Sequence, residues 1–522
     1  MFNCLRVVLA MLPLILSWPA AGTENVRDHG AKGDGATKDT AAIQAAIDAA
    51  TQAGGGVVVI PPGRYISGTI HLKSNVTLYI SPGATLAESP DNSDFDPYET
   101  LTFRSVSDVE TTYFQYALVT AENVHNIAIV GEGAIDGNRT KRHGPKTIAL
   151  KLCQHVAIRG ITVENSPNYS VSFWGCDYVD IDGVTVRNGY ADGIDPDSCR
   201  FVRIANCSID SADDAICPKA SPSMGMENRR DTENLTVTNC VLRTNANDFK
   251  FGTESSGGFK NIAFNNSVIL ARDTGKHAAS GISIESVDGG KIDGVVISNI
   301  SMRDVHSPIF IRLGNRARGL DPMTPGSIEN VSIQNVVAIR ASLASSITGV
   351  PGYPVKHVML DGINVTLDGG NRETPELDVP ELEAKYPSAT MFGDLPAYAF
   401  YARHVEGLAL GNIQARWTQE DWRPALIFDD VKNLRLHGFR ADTVAGRQPV
   451  IWMNDTANAF VRGSSMAAGQ KFLRVTGTRS ADVKLTANDL SGAKELIEYG
   501  SGVAKSVVRA LANVRASSAG GQ

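Results

Sequence analysis

A short motif of alternating apolar residues that ends in asparagine or glycine recurs along most of this chain. VAIRG, VRIAN and VSIQN are three examples. The motif ends at Gly160, Gly183, Asn206, Asn239, Asn266, Asn299, Asn335, Gly362, Asn412 and Gly438. Alternation with a period of two is typical of β-strands, and asparagine or glycine favours the bend that follows a strand. A chain of this kind is expected to fold as a series of similar coils.

The distance between successive motifs gives the length of one coil. Ile158, Ile181 and Ile204 are separated by 23 residues each time, and the next four steps are 33, 27, 33 and 36 residues. Repeats of this length are typical of solenoids. Coils that stack about 4.8 Å apart bring equivalent residues into ladders, and the longer steps leave room for loop insertions. The sequence therefore predicts an all-β fold, a single-domain parallel β-helix.

Two kinds of side-chain ladder follow from this stacking. The asparagine ladder at the bend is formed by Asn206, Asn239, Asn266, Asn299 and Asn335. The cysteine ladders are formed by Cys153, Cys176 and Cys199, and by Cys207 and Cys240. The distance between coils falls within the range of Cα distances that a disulfide permits, so stacked free thiols and disulfides both remain open.

The first 22 residues have the features of a secretory signal peptide. Arg6 precedes an apolar run from Val7 to Trp18, and small residues follow to Gly22. The protein is therefore expected to be exported, to the periplasm or the extracellular space. Removing residues 1–22 takes away one of 49 basic residues and none of 56 acidic ones, so the formal charge changes from −7 to −8. This acidic balance argues against nucleic acid as a partner. No other apolar run approaches the ~18 residues of a membrane span, so no membrane association is expected after signal removal.

The remaining chain is expected to form one β-helix domain over residues 23–500, followed by a weakly ordered tail over residues 501–522. A helix at about residues 39–53 is predicted near the start of the domain, because Ile43 and Ile47 share one helical face and a run of three glycines follows. A helix at this position would cover the exposed edge of the first coil.

The segment ADGIDPDSCRFVRIANCSIDSADDAI, residues 191–216, carries an unusual number of carboxylates. They are Asp192, Asp195, Asp197, Asp210, Asp213 and Asp214. Calcium binding is one interpretation, but DGIDPDS lacks the glycine-then-glutamate continuation of a dedicated calcium loop. Acid/base chemistry is the other. Asp192 and Asp214 are 22 residues apart, nearly one coil, so they are expected to share a cleft on adjacent coils. We predict no metal and no cofactor.

These motifs resemble glycoside hydrolase family 28, the polygalacturonase group. GAKGDGATKDTAAIQAAIDAA and GGGVVVIPPGRYISG are similar to the opening of pectin-degrading β-helix enzymes, and the aspartate segment resembles the signature of the family. The resemblance implies a right-handed parallel β-helix that hydrolyses α-glycosidic bonds in pectins with inversion. It implies that Asp213 is the general acid and that Asp192 and Asp214 hold the attacking water. Neighbours in a flat strand face opposite sides, so this assignment requires a bend before Asp213.

The chain also departs from the family at three motifs. Of the Asn-Thr-Asp motif only Asp192 remains, and the histidine of Gly-His-Gly corresponds to Asn247. The Arg-Ile-Lys motif, which binds the uronate carboxylate in the family, corresponds to Ser283-Ile284-Glu285. A glutamate there would oppose an anion. Either the sugar at that subsite is neutral, for example rhamnose, or other cations bind the carboxylate.

Lys219, Lys250, Arg312 and Arg316 are the candidate cations. Lys219 is best placed, five residues after Asp214, although a local ion pair explains it equally well. Lys250 alternates with two phenylalanines and should face away from the core. Arg312 lies in an apolar strand, where a buried ion pair is the simpler interpretation. Glu285 is expected either to bind sugar hydroxyls or to pair with a cation.

A loop after residue 370 contains three aromatic residues, Tyr386, Phe392 and Tyr398, that either stack on sugar rings or pack the loop onto the coils.

Three classes of function remain open. The first is an inverting hydrolase of pectic poly- or oligosaccharides, including an α-L-rhamnosidase-type enzyme that acts from the chain end. The second is a β-helix uronate lyase or epimerase, disfavoured because no arginine is near the aspartate pair in the sequence. The third is a β-helix that only binds glycans. The carbohydrate is the only partner that we expect, and the protein is expected to be a monomer.

Overall fold

The structure is a computed structural model that describes residues 22–466 and 470–515. The predicted signal peptide lies outside the described residues except for Gly22. The described chain winds into a parallel β-helix whose coils contribute strands to three ladders, which we call sheets 1, 2 and 3. This confirms the predicted fold class.

Sheet 1 is formed by the strands that carry the repeated motif. Its strands are Gly22–Asn25, Gly56–Ile60, Val76–Ile80, His125–Gly131, Gln154–Arg159, Asp177–Asp182, Arg200–Ala205, Thr232–Thr238, Phe259–Ala271, Lys291–Arg303, Ser327–Ala341, Val355–Gly369, Phe400–Gly411, Leu426–His437, Ala457–Arg462, Ala481–Thr486 and Val508–Leu511. Several of them continue through a bend into a neighbouring sheet.

Sheet 2 follows the asparagine bend. Its separate strands are Asp34–Lys38, Gly63–Ser67, Ala84–Glu88, Ala134–Asp136, Thr162–Glu164, Thr185–Gly189, Ser208–Ser211, Val241–Thr244, Gln414–Gln419 and Arg440–Ala441. Two short strands, Asp489–Leu490 and Val514–Arg515, pair with each other near the end of the described chain.

Sheet 3 closes each coil and carries most of the candidate site residues. Its strands are Ile70–His71, Ala117–Glu122, Lys146–Lys151, Val171–Trp174, Ile194–Asp197, Asn247–Phe251, Ala278–Ser286, Val305–Leu313, Ser345–Thr348, Ile451–Asn454, Gln470–Thr476 and Ala493–Tyr499. The cleft described below lies on the outer face of this sheet, where chain enters it from sheet 2.

The described residues include two α-helices, Thr40–Gln52 and Val109–Thr112. The first matches the predicted capping helix, and its buried face includes Ile43 and Ile47. Asp108 caps the second helix by accepting a hydrogen bond from the backbone N–H of Thr111. Short 3-10 segments lie at Val26–His29, Asn92–Asp94, Met226–Asn228 and Lys505–Val507.

The register of sheet 1 follows the sequence repeat. Ile158 pairs with Ile181, Ile181 with Ile204, and Ile204 with Val237, with the same residue of each motif aligned on the next coil. These side chains are at most 1% exposed. The insertions therefore lengthen the loops and leave the stacking of the core unchanged.

Truncation of one of these core residues is expected to destabilise the protein strongly. Ile181→Ala should lower the free energy of unfolding by about 2–5 kcal/mol, because a cavity remains between Ile158 and Ile204. Thr236→Ala, at an exposed position of sheet 1, should change it by about 1 kcal/mol or less. Denaturant titration of both variants measures the difference, and equal losses would contradict the core assignment.

Both predicted ladders are present. Five asparagines adopt positive φ angles at the bend: Asn206, Asn239, Asn266, Asn299 and Asn335. The amide of Asn299 donates to that of Asn266 at 2.9 Å, and the amide of Asn335 donates to that of Asn299 at 3.1 Å. The six cysteines of the described residues are buried free thiols.

Regular structure continues beyond the predicted domain end at residue 500. Val508–Leu511 pairs with Ala481–Thr486, and Val514–Arg515 pairs with Asp489–Leu490. The predicted boundary was too early, because one more short coil stacks on the domain; residues 516–522 lie outside the described residues. Within the described ranges, no helix has the length and apolar character that crossing a membrane requires.

Candidate active site

A cleft of about 320 Å³ lies where sheet 2 turns into sheet 3. Its lining is dominated by charged side chains from several coils. The lining residues are Asp108, Arg142, Tyr169, Asp192, Asp213, Asp214, Lys219, Lys250, Gly252, Thr253, Glu254, Arg316, Arg318 and Tyr386. Five of them are cations and five are carboxylates, so carboxylates and cations balance within the lining.

The bend that the aspartate pair requires is present. The strand Ser208–Ser211 ends just before the pair, and the chain bends through residues 212–215. The hydroxyl of Ser211 donates to the backbone carbonyls of Asp213 at 3.0 Å and Asp214 at 3.1 Å, which supports the bend. Both carboxylates consequently reach the same cleft.

Asp192 lies on the neighbouring coil and is tied to a buried lysine. The ammonium of Lys219 donates to Asp192 at 2.6 Å and to Asp195 at 2.8 Å, and all three side chains are at most 4% exposed. Burial, together with the charge of Asp195, raises the pKa of Asp192 well above its ordinary value. Burial also raises the pKa of Asp195, to about 6. Asp195 lies in a strand of sheet 3.

Asp214 accepts hydrogen bonds from three nitrogen donors. One oxygen accepts from the backbone N–H of Asn247 at 3.0 Å and from its side-chain amide at 2.7 Å. The other accepts from the ammonium of Lys250 at 3.0 Å. Phe249 and Phe251 are fully buried in the core, so Lys250 faces the opposite side, as predicted.

Carboxylate oxygens of Asp192 and Asp214 and the thiol of Cys217 lie within 4.8 Å of one another. Two acids at this separation can hold one water molecule between them. Lys219 and Lys250 already supply positive charge to the two carboxylates, and the thiol donates to the carbonyl of Gly252 at 2.9 Å. These contacts fit the positioning of water better than the binding of a metal ion.

Asp213 has a different environment, in contact with an arginine that the sequence did not indicate. The guanidinium of Arg142 donates to Asp213 at 2.5 Å, and its Nε donates to Glu110 at 3.0 Å. Burial opposes ionisation of Asp213, but Arg142 and Lys250 outweigh it, so the pKa of Asp213 is lowered. An arginine is therefore close to the aspartate pair in space, although none is close in the sequence, so the argument that disfavoured a lyase or epimerase for lack of an arginine was wrong.

Comparisons with known proteins agree with this fold. Residues 23–171 match the family described as "Rhamnogalacturonase A/epimerase, pectate lyase-like". A "Probable polygalacturonase" of Vitis vinifera is 25% identical, over 68% of this chain and 76% of that protein. The "Exo-poly-alpha-D-galacturonosidase" of Dickeya chrysanthemi is 25% identical, over 66% of this chain and 67% of that protein. The predicted resemblance to glycoside hydrolase family 28 is confirmed: the chain is similar to polygalacturonases over about two thirds of its length.

A solved structure supports the fold of this chain. The exopolygalacturonase of Thermotoga maritima superposes with a TM-score of 0.57 at 22% identity, over 66% of this chain and 87% of that one. This structure shows the fold, and the resemblance to family 28 rests on the two polygalacturonase sequences.

Asn247, at the family's histidine position, does not line the cleft. Its side chain donates to Asp214, and its amide oxygen accepts from the hydroxyl of Ser280 at 2.7 Å. Asn247 was predicted to contact the substrate. In this structure it instead orients Asp214.

Glu285 and Arg312, predicted to bind substrate, also lie outside the cleft lining. Glu285 is fully buried behind Lys250, accepts from the hydroxyl of Ser283 at 2.6 Å, and its burial raises its pKa to about 7. Arg312 is 2% exposed and donates to the backbone carbonyl of Glu381 at 2.6 Å. Arg312 therefore anchors the loop that follows residue 370, because its strand buries it beneath that loop.

Three further lining residues come from loops. Arg316 donates to Asp288 at 2.9 Å, and Arg318 donates to Glu254 at 2.9 Å. Tyr386 is 58% exposed, and its hydroxyl accepts from Lys250 at 3.2 Å. Of the three loop aromatics, only Tyr386 reaches the cleft.

The other two aromatics of that loop pack against protein. Tyr398 is 1% exposed and donates to the backbone carbonyl of Asp442 at 2.8 Å. The ring of Phe392 lies 5.5 Å from the guanidinium of Arg312. For these two residues the packing interpretation holds.

Proposed function

We propose that this protein is an inverting glycoside hydrolase that cleaves α-glycosidic bonds in a pectic polysaccharide or oligosaccharide. One observation carries the proposal: Asp192, Asp213 and Asp214 line a single cleft in a chain that resembles family 28. Its polygalacturonase relatives support a pectic substrate, and the fourteen lining residues place positive groups beside the acids.

The three aspartates have separate roles in this proposal. Asp192 and Asp214 hold a water molecule between them and accept its proton as the water attacks the anomeric carbon. Asp213 donates a proton to the departing glycosidic oxygen. Inversion requires these groups to lie on opposite faces of the sugar, with about 6.5–9.5 Å between the acid and the base. The ammonium groups of Lys219 and Lys250 offset the repulsion between the carboxylates of Asp192 and Asp214.

The proposal also specifies the class of substrate. A galacturonan or rhamnogalacturonan carries carboxylates, and the cleft has lost the family's Arg-Ile-Lys motif. Lys250, Arg142, Arg316 and Arg318 remain within the lining and can contact a uronate. We therefore favour a uronate-containing substrate over a neutral rhamnoside, since Ser283 and Glu285 are buried and form no open neutral subsite.

Product analysis tests the proposal directly. The mature protein is incubated with polygalacturonan, with rhamnogalacturonan oligosaccharides and with a chromogenic α-L-rhamnoside, and new reducing ends and their anomeric configuration are followed by NMR. We expect hydrolysis of a uronate-containing substrate with release of the inverted anomer first. Ultraviolet absorbance of an unsaturated product would instead indicate a lyase. Release from the rhamnoside alone would indicate a neutral subsite, and no cleavage would favour a binding protein.

A further inference from the structure

Two loops from the first coils reach over the cleft to the proposed acid. Arg142 lies between the strands Ala134–Asp136 and Lys146–Lys151, and Glu110 lies in the short helix Val109–Thr112. Glu110 holds Nε and Nη2 of Arg142, while Nη1 of Arg142 donates to Asp213. One edge of the guanidinium is thus bound by Glu110, and the other edge is bound by Asp213.

This contact conflicts with what a general acid must do. A general acid has to carry a proton when the substrate is in place. The guanidinium of Arg142 favours the ionised form of Asp213, as a charge-assisted hydrogen bond does. The other groups that face Asp213 are divided between cations and acids. They are Lys219, Lys250, Asp192 and Asp214 from the neighbouring coils.

Arg142 is also the cation of the cleft most able to change partners. Its side chain is 34% exposed, whereas Lys219, Lys250 and Arg316 are between 3% and 13% exposed. Arg318 is 25% exposed but is bound to two buried acids. The Asp213 side chain is 31% exposed, so a ligand entering the cleft meets this ion pair at its open side.

We propose that Arg142 is the receptor for a uronate carboxylate of the substrate, and that the incoming carboxylate displaces Asp213 from it. This inference rests on the proposed function and assigns the carboxylate site that the missing Arg-Ile-Lys motif leaves open. The two carboxylates have the same chemistry, and a planar guanidinium binds either one. Glu110 keeps Arg142 in position during the exchange.

The exchange accounts for the proton that the reaction needs. In the free protein, Asp213 is ionised and paired with Arg142. When the uronate carboxylate replaces it, Asp213 lies among the acids without that partner and takes up one proton from solvent. Asp213 then gives this proton to the glycosidic oxygen as the bond to the anomeric carbon breaks. The attacking water loses its proton to the Asp192 and Asp214 pair, and the pair releases that proton to solvent before the next turnover, so the overall reaction consumes only water.

Calorimetry of galacturonate binding tests the exchange without requiring catalysis. Binding is measured near pH 5 in two buffers that differ in ionisation enthalpy, which gives the number of protons taken up. We expect the wild-type protein to bind galacturonate more tightly than galactose and to take up a measurable fraction of a proton only with galacturonate. Arg142→Gln should lower galacturonate affinity by about tenfold or more and abolish the uptake.

Lys141→Gln is the matched control, because it removes one positive charge from an exposed position of the same loop. Its affinity and proton uptake should equal those of the wild type. Equal uptake in Arg142→Gln and wild type, or galacturonate binding no tighter than galactose binding, would overturn the inference. Binding with uptake but without any hydrolysis would sustain the inference and refute the proposed function, whereas hydrolysis without uptake would do the reverse.

Discussion

Replacing Asp213 with asparagine is expected to lower kcat on the natural substrate by about 10²–10⁴-fold, the usual contribution of a general acid. The amide keeps the size of the side chain and a hydrogen-bonding oxygen toward Arg142, but it has no proton to give to the leaving oxygen. A 4-nitrophenyl glycoside of the same sugar has a leaving group that departs without protonation. The loss on that substrate should therefore be much smaller than on the natural one.

Asp210→Asn provides the control for this experiment. Asp210 belongs to the same segment, its side chain has the same 31% exposure as Asp213, and it pairs with Arg272 at 2.5 Å instead of lining the cleft. Its kcat should stay within a few fold of wild type. An equal loss by Asp213→Asn on both substrates would contradict the acid assignment and would direct attention to Asp192, whose pKa burial raises.

The β-helix was predictable because its coils are defined by a local pattern. Each motif alternates with a period of two and ends in a residue that tolerates positive φ, as Asn206 and Asn299 do. Stacking then follows from the period alone, since Ile181 has no other way to remain buried than between equivalent residues. The end of the domain was harder to predict, because the last coils lose the motif while still pairing.

The site could be predicted only where its residues belong to the coil pattern. Asp192, Asp213 and Asp214 occupy neighbouring coils at nearly one repeat, and Lys250 alternates with core phenylalanines. These positions fix the side of the coil on which each side chain lies. Glu285 and Arg312 also follow the pattern, but the loops that cover them are long and irregular, so their burial could not be read from alternation.

Arg142 and Glu110 illustrate what sequence reasoning could not supply. They are 32 residues apart, and neither lies in a repeated strand. Their meeting at Asp213 depends on how two insertions fold over the cleft. The only available signal was the basic run TKRHG before a strand of sheet 3, which by itself is typical of an exposed turn.

Replacing Lys219 with methionine is expected to cause the largest loss of stability among single changes at the cleft. Lys219 is the shared cation of Asp192 and Asp195, and all three side chains are at most 4% exposed. Removing one partner of a buried ion pair leaves uncompensated buried charge, which costs about 3–5 kcal/mol. Lys260→Met is the control: Lys260 pairs with Asp231 at the surface with 46% of its side chain exposed, and its loss should cost about 1 kcal/mol or less.

The loss in free energy of unfolding caused by Lys219→Met should depend on pH. The direction of this dependence follows from the pKa values of Asp192 and Asp195. An unfolded aspartate ionises near pH 3.9, whereas burial raises the pKa of Asp195 to about 6 and that of Asp192 well above its ordinary value. Without the ammonium both stay protonated to still higher pH. The folded variant then binds more protons than the unfolded chain from about pH 4 upward, so its stability falls as pH rises through this window.

Denaturant unfolding of wild type and Lys219→Met at pH 4, 5.5 and 7 measures this dependence. The difference in free energy of unfolding should be smallest at pH 4 and largest at pH 7, while the difference for Lys260→Met should vary little. A deficit that is constant across the three values would mean that Lys219 contributes through packing of its chain against Tyr169, over whose ring its ammonium lies at 4.0 Å. In that case the charge of Lys219 would not be what favours ionised Asp192 beside Asp214. The two aspartates proposed to accept the proton of water would then need another source of positive charge.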